Sequence, residues 1–256
     1  MLLKTILVCL LAGLGAGLGT GFAGMSAAAV ISPILVTFLG IDPYLAVGIA
    51  LASDVLASAV SAITYGRNKN LDIRNGLIMM AAVLCFTMVG SFVASLVPKT
   101  TMGNFSVFMT MLLGVKFIVK PSAAPKKSLV SATKRQKAIR SILCGSMVGF
   151  VCGFVGAGGG MMMLLVLTSV LGYELKTAVG TSVFIMSATA LTGAVSHFAI
   201  GGFPDLLPLI LCVLSTLLFA QLAALIANRA QPKVLNRATG VLLVLLGTVI
   251  LAVNLF

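Results

Sequence analysis

One carboxylate lies in an apolar stretch long enough to cross a membrane. Asp54 is the only charged residue between positions 44 and 66. Such a carboxylate is costly to bury and usually faces a cavity or a partner. It could take up and release a proton, or it could be a hydrogen-bonded structural acid. Its counterpart in the internal repeat described below is Met186, which cannot titrate, so any proton coupling would belong to one half of the chain.

The single histidine and the five cysteines offer little further chemistry. His197 lies near the end of an apolar segment and corresponds to Tyr65 in the repeat; it is either a proton relay or an interfacial aromatic residue. The cysteines lie apart in apolar segments, which is typical of small packing residues. The sequence shows no nucleophile–base motif, metal cluster or carboxylate pair. It therefore predicts no metal, no cofactor and no enzyme.

Two glycine-rich stretches could bind an anion through the backbone. Residues 153–163 read GFVGAGGGMMM, with five glycines in eight residues, and residues 21–31 read GFAGMSAAAVI. Each glycine weakens a helix by about 1 kcal/mol relative to alanine. We therefore expect a turn that leaves N–H groups bare at the start of the next helix, where anions are attracted. The alternative is close helix packing, which we favour for Gly13, Gly17, Gly145 and Gly149.

The candidate binding residues combine these turns with nearby hydroxyl groups. An anion that must be released needs donors other than a fixed strong cation, and backbone N–H groups and hydroxyls meet that need. Each hydroxyl could instead bond to its own helix backbone. The predicted substrate-binding residues are Gly21, Gly24, Ser26, Gly156, Gly158, Gly159, Gly160, Thr181 and Ser182. The predicted proton-coupling residues are Asp54 and His197.

The elements that must position these residues are membrane helices. The chain has 256 residues, of which 60% are hydrophobic and only 9% charged, whereas a soluble domain is about half apolar and a quarter charged. Several apolar runs reach the roughly 20 residues that a bilayer span requires. The runs cover residues 44–66, 76–97, 102–115, 206–228 and 241–256. We predict an all-α integral membrane protein with little mass outside the bilayer.

The chain contains two copies of one unit. A shift of 132 residues places six glycines of the first half on glycines of the second, and it places Ala46-Val47-Gly48 on Ala178-Val179-Gly180. We predict one repeat unit over residues 1–119, a basic cytoplasmic linker over 120–140 and a second repeat unit over 141–256.

Positive charges indicate that the second copy is inverted in the membrane. Cytoplasmic loops collect Lys and Arg. If the N-terminus lies outside and each half crosses the membrane an odd number of times, 15 of the 17 Lys and Arg residues lie in the cytoplasm, and only Lys4 and Lys99 lie outside. The net charge of +12 then reflects membrane topology, and we expect no nucleic acid partner.

Each half is predicted to be a glycine-broken helix hairpin followed by three transmembrane helices. The second arm of each hairpin has only 15 residues, or about 22 Å of helix, which is shorter than the hydrocarbon core of about 30 Å. Paired short segments in two inverted halves are typical of the central site of a transporter. The sequence thus predicts a membrane transporter with the bilayer and a small anion as its partners, and it leaves the oligomeric state open.

The order of these motifs resembles one family over nearly the whole chain. The halves open with GFAG and GFVG, continue with AVGIAL and AVGTSV, and later carry GLIMM and PDLLPL. This order is similar to that of the TauE/SafE sulfite exporter family. The resemblance implies a small permease of the bacterial inner membrane that moves sulfite or organosulfonate anions, and Asp54 would allow proton coupling. The alternative function is a passive anion channel built on the same repeats.

Overall fold

A computed structural model describes residues 2–94, 134–155 and 159–231 of the chain, together with isolated positions beyond them. Within these residues the fold is entirely helical. The helices are α1 (Leu2–Ala23), α2 (Ala28–Leu39), α3 (Pro43–Arg67), α4 (Ile73–Ala94), α5 (Lys134–Val155), α6 (Gly159–Ser169), α7 (Leu175–Gly201) and α8 (Leu206–Arg229).

Four of the described helices are long and apolar enough to cross a membrane. The four segments are Leu2–Ala23, Tyr44–Arg67, Leu175–Ala199 and Leu206–Arg229. Helices α4 and α5 contain shorter apolar stretches, Ile73–Val89 and Ala138–Phe150. The predicted all-α membrane fold is therefore confirmed. The predicted span over residues 102–115 lies almost wholly outside the described residues, and only isolated positions are described within 241–256.

The start of α3 is fixed by a short capping sequence, which in turn sets the depth of Asp54. Asp42 accepts hydrogen bonds from the backbone N–H groups of Tyr44 (2.9 Å) and Leu45 (3.3 Å). Pro43 occupies the first turn of the helix, where its missing N–H costs nothing. Asp54 follows three turns later, about 17 Å along the axis. It therefore lies near the middle of a 25-residue helix.

Two of the helix pairs pack closely through glycine. In the first pair, α1 and α8 run in the same direction, because Gly13 contacts Ser215 and Gly21 contacts Ala223. In the second pair, α4 and α5 also run in the same direction. There Gly145 contacts Met79, and Gly149 contacts Val83.

The contacts recur under the 132-residue shift. The shift carries α1 onto α5 and α4 onto α8, so the two glycine-packed pairs correspond to each other. It also carries α3 onto α7, and these two helices pack antiparallel. Tyr44 at the start of α3 meets His197 near the end of α7, while Tyr65 near the end of α3 meets Gly180. Such recurrence is expected of two halves related by a two-fold axis.

Two helices are too short to cross the membrane, and both follow a glycine-rich stretch. Helix α2 has 12 residues and α6 has 11, which correspond to about 18 Å and 17 Å. Helix α2 packs against α1 and α3, and α6 packs against α5 and α7. The short arms expected from the sequence are thus present and slightly shorter than predicted.

Candidate functional site at the helix break

The break between α1 and α2 begins at a glycine in the left-handed conformation. Gly24 has a φ of +62°, which costs a glycine nothing and other residues a steric penalty. Its N–H donates to the Thr20 carbonyl (2.9 Å), and the N–H of Met25 donates to the Gly19 carbonyl (3.2 Å). These two hydrogen bonds give partners to carbonyl groups near the C-terminal end of α1, as is usual where a helix ends at a residue in the left-handed conformation. The chain then turns over residues 24–27, where the first fold-back was predicted.

The start of the second short helix lies directly against this break. A Cβ atom at Gly160 would lie 2.6 Å from the amide nitrogen of Ser26 and 2.7 Å from the carbonyl oxygen of Gly24. Only glycine permits that approach. Of the other candidates in this cluster, Gly159 begins α6, while Gly156 and Gly158 lie outside the described residues. The structure therefore brings Gly24, Ser26 and Gly160 together.

Two hydroxyl groups from other helices bind the carbonyl groups around the break. Ser182 of α7 donates to the Gly24 carbonyl (3.0 Å). Tyr65 of α3 donates to the Gly21 carbonyl (2.8 Å), which is one of the carbonyl groups that a helix end leaves without an intrahelical partner. The backbone of the break is thus held by residues from both halves of the chain.

Asp54 faces the same break from α3. Its side chain is fully buried, and its Oδ1 accepts a hydrogen bond from the Ser58 hydroxyl (2.8 Å). The Ser26 hydroxyl and the Ala27 backbone N–H lie beside the carboxylate, close enough to interact with it. Within the described part of the chain, Oδ2 has no hydrogen-bond partner. The predicted proton-coupling residue and the first predicted binding turn are therefore neighbours.

A buried polar stripe continues from Asp54 along α3. Asp54, Ser58, Ser61 and Tyr65 have the spacing that places residues on one face of a helix, and all four are fully buried. The Ser61 hydroxyl has no hydrogen-bond partner among the described residues. Ser61 and Tyr65 were not among the site residues predicted from the sequence, although their spacing from Asp54 indicates a shared helix face.

Thr181 lies beside this site but binds a different segment. Its hydroxyl accepts a hydrogen bond from the Asp72 backbone N–H (3.2 Å) in the loop between α3 and α4. The Asp72 carboxylate also accepts one from the Tyr173 hydroxyl (2.8 Å). Burial, together with the neighbouring Asp72 carboxylate, raises the pKa of the Tyr173 phenol, so Tyr173 stays a donor. Thr181 thus contributes to a polar cluster that joins two loops.

His197 lies far from Asp54. Its ring stacks on Tyr44 with 4.3 Å between ring centroids, and its Nδ1 lies 3.1 Å from the Gly193 carbonyl oxygen. Tyr44 and Asp54 are ten residues apart on α3, or about 15 Å. The two predicted proton-coupling residues are therefore not brought together.

The bond from Tyr65 to Gly21 leads to a prediction about stability. Tyr65→Phe would leave the buried Gly21 carbonyl without its partner, and we expect a loss of about 1–2 kcal/mol in the free energy of unfolding. The measurement is denaturant unfolding in detergent. Tyr44→Phe is the control, because Tyr44 is partly exposed and its hydroxyl has no partner among the described residues. Equal stability of the two variants would show that the Tyr65 hydroxyl contributes nothing.

Comparison with known proteins agrees with the membrane architecture. The family described as "Sulfite exporter TauE/SafE" matches residues 9–250. The "Probable membrane transporter protein YunE" of Bacillus subtilis is 26% identical over 94% of this chain and 92% of its own length. YdhB of the same organism, which carries the same description, is 22% identical over 87% of this chain and 90% of its own. A "Probable membrane transporter protein" of Haemophilus influenzae is 27% identical over 79% of this chain and 77% of its own. The chain is therefore a multi-pass membrane transporter and not an enzyme, and it belongs to the TauE/SafE sulfite exporter family.

Proposed function

We propose that this protein is a secondary transporter of small sulfur anions, such as sulfite or organosulfonates, in the bacterial inner membrane. The observation that carries the proposal is the convergence at the break of Ser26, Ala27, Gly160 and Asp54. A broken helix whose second arm starts inside the protein is a common way for a transporter to bind an anion. The family's description supplies the sulfur chemistry.

The charges around the break suit an anion that must be released again. Among the described residues, Asp54 is the only charged side chain in the buried interior. The Lys and Arg side chains whose burial the structure describes are exposed or half-buried. The anion would therefore be held by N–H and O–H donors and by the partial positive charge at the start of a short helix. Such donors bind more weakly than a buried guanidinium group, which favours turnover.

Asp54 would couple the movement of the anion to that of a proton. It is fully buried, and one of its oxygens lacks a partner among the described residues. A proton on that oxygen would remove the cost of burying a charge. The neighbouring Ser26 and Ala27 place this group next to the proposed anion position. Asp54 would then take up its proton at the same site at which the anion binds.

The proposed transporter has two inverted repeats, with both termini outside the cell and residues 120–140 in the cytoplasm. The antiparallel packing of α3 with α7 and the paired contacts of α1 with α8 and α4 with α5 support this arrangement. The excess of Lys and Arg in one set of loops supports its orientation.

Labelling from outside the cell would test the topology. Single cysteines introduced near each terminus and in the linker of a cysteine-free background should react with a membrane-impermeant maleimide only at the termini. Permeabilised cells are the control, and all three sites should react there. A linker that is labelled in intact cells, or termini that are labelled only after permeabilisation, would contradict the inverted arrangement.

Transport by purified protein in liposomes would test the function. We expect saturable uptake of sulfite, thiosulfate or methanesulfonate that increases with an inward proton gradient, and no uptake of choline or glycerol. Flux that does not saturate and does not respond to the proton gradient would instead identify a passive anion channel. Uptake of a cation or a neutral solute, with no flux of any sulfur anion, would overturn the anion proposal.

A further inference from the structure

The carboxylate of Asp54 is itself an anion placed at the start of a half-helix. Helix α2 begins at Ala28, whose N–H donates to the Ser26 hydroxyl oxygen (3.3 Å). The Ser26 hydroxyl and the Ala27 N–H lie beside the Asp54 carboxylate. These are also the donors that the proposed function assigns to the transported anion. When Asp54 is ionised, its negative charge therefore faces the position that a substrate would occupy.

The free oxygen of Asp54 determines what a proton would change. Oδ1 is bound by Ser58, whereas Oδ2 is buried without a partner within the described part of the chain. A proton taken from water would form an O–H bond on this carboxyl group and neutralise it. The protonated group no longer repels an anion, and its O–H becomes a third donor beside Ser26 and Ala27.

In the described structure, nothing else near Asp54 can supply a compensating charge. Four helices pack against α3, namely α1, α2, α7 and α8. Their titratable or charged side chains are Lys4, Cys9, Lys176, His197, Cys212 and Arg229. Lys4 and Arg229 are exposed at helix ends, and Lys176 donates to the Asn228 carbonyl. Cys9 and Cys212 face each other, and His197 stacks on Tyr44. Helix α6, which reaches the break at Gly160, has no titratable residue.

We infer that the Asp54 carboxylate and the transported anion compete for the donors of Ser26 and Ala27, so that the anion binds only when Asp54 is protonated. This inference rests on the proposed function and specifies its coupling. One proton would enter the site with each anion and leave with it. The protein would then be a symporter of one proton with one anion, and the ionised Asp54 would keep the empty site closed to anions.

The test is equilibrium binding of radiolabelled methanesulfonate to the purified protein between pH 5 and pH 9. A sulfonate carries no group that titrates in this range, so any pH dependence belongs to the protein. For the wild type we expect the affinity to fall by roughly tenfold per pH unit above the titration of Asp54, as linkage to one proton requires. Asp54→Asn keeps a neutral donor and should bind with the same affinity at every pH. Above the titration of Asp54 it should bind tighter than the wild type, by a factor that grows roughly tenfold per pH unit.

Two further variants are measured in the same binding experiment. Asp54→Glu retains a titratable group and should retain the pH dependence. Asp205→Asn is the matched control, because Asp205 is exposed and its side chain makes no cap hydrogen bond; it should follow the wild-type curve.

Several results would overturn the inference. One is equal wild-type affinity at all pH values in a protein that transports sulfur anions, and another is a dependence on sodium ions in place of protons. A folded Asp54→Asn protein that no longer binds methanesulfonate would also overturn it, because Asp54 would then be a required ligand. In these three cases the proposed transport of sulfur anions stands, and only its coupling through Asp54 fails. No binding and no flux of any sulfur anion at any pH would overturn both.

Discussion

Gly160→Val is expected to abolish transport of sulfur anions while the protein still inserts into the membrane. A Cβ atom at this position would lie 2.6 Å from the Ser26 nitrogen, 2.7 Å from the Gly24 oxygen and 3.0 Å from the Met25 carbonyl carbon. All three are backbone atoms, so no side chain can rotate away. The start of α6 would have to move off the break, and the donors around Ser26 would no longer face the same space.

The expected loss of anion binding can be estimated, and a second glycine position provides a control variant. Overpacking of this kind costs about 1–3 kcal/mol. If the free protein relieves this strain by moving α6 away and binding has to restore the contact, even Gly160→Ala should weaken anion binding roughly 5- to 150-fold. Uptake in proteoliposomes is the measurement. Gly66→Ala is the control, because the nearest atom to the new methyl group is the flexible Cδ2 of Leu71 at 3.3 Å. Wild-type uptake by Gly160→Val would show that the close contact between the start of α6 and the break is not needed.

Asp54→Asn is expected to remove accumulation of anions driven by a proton gradient. The variant cannot exchange a proton at this position, so a gradient of pH alone should no longer drive uptake against the concentration gradient of the anion. Exchange down a concentration gradient should continue, because the amide still leaves the donors of Ser26 and Ala27 available. Proteoliposomes with an acidic exterior give the measurement, and Asp205→Asn is again the control. Full proton-driven accumulation by Asp54→Asn would assign Asp54 a structural role only.

The elements of this fold could be predicted from composition and pattern, and so could several of the residues that lie at the break. The fold-back at Gly24 and the short helix α2 were expected because glycine-rich turns interrupt an apolar run of fixed length. The burial of Asp54 was expected because it is the only charge in residues 44–66. Both predictions depend on features that are local in the chain.

The direction in which each side chain points was much harder to predict. Neighbouring residues on a helix project about 100° apart, so Thr181 and Ser182 cannot both face the break. Ser182 binds Gly24, whereas Thr181 binds the Asp72 backbone. The two residues were predicted as a pair because the sequence does not show which helix lies on each side of α7.

Contacts between distant segments explain the remaining differences. The contact of His197 with Tyr44 at the start of α3 follows from the antiparallel packing of α3 and α7, which no local pattern contains. Likewise, the partner of the Tyr65 hydroxyl lies 44 residues away at Gly21. The spacing of Asp54, Ser58, Ser61 and Tyr65 did hold a usable signal, because four polar residues on one face of an apolar helix are seldom exposed to lipid.

The most direct test of the central claim is to locate a bound anion at the helix break. Selenite is the selenium analogue of sulfite, and its anomalous scattering would mark its position in crystals grown at acidic pH. The account predicts a peak within hydrogen-bonding distance of the Ser26 hydroxyl and the Ala27 N–H, beside Gly160 and Asp54. At saturating selenite, a peak found only at surface residues such as Arg67 and Arg74, or no peak at the break, would contradict it.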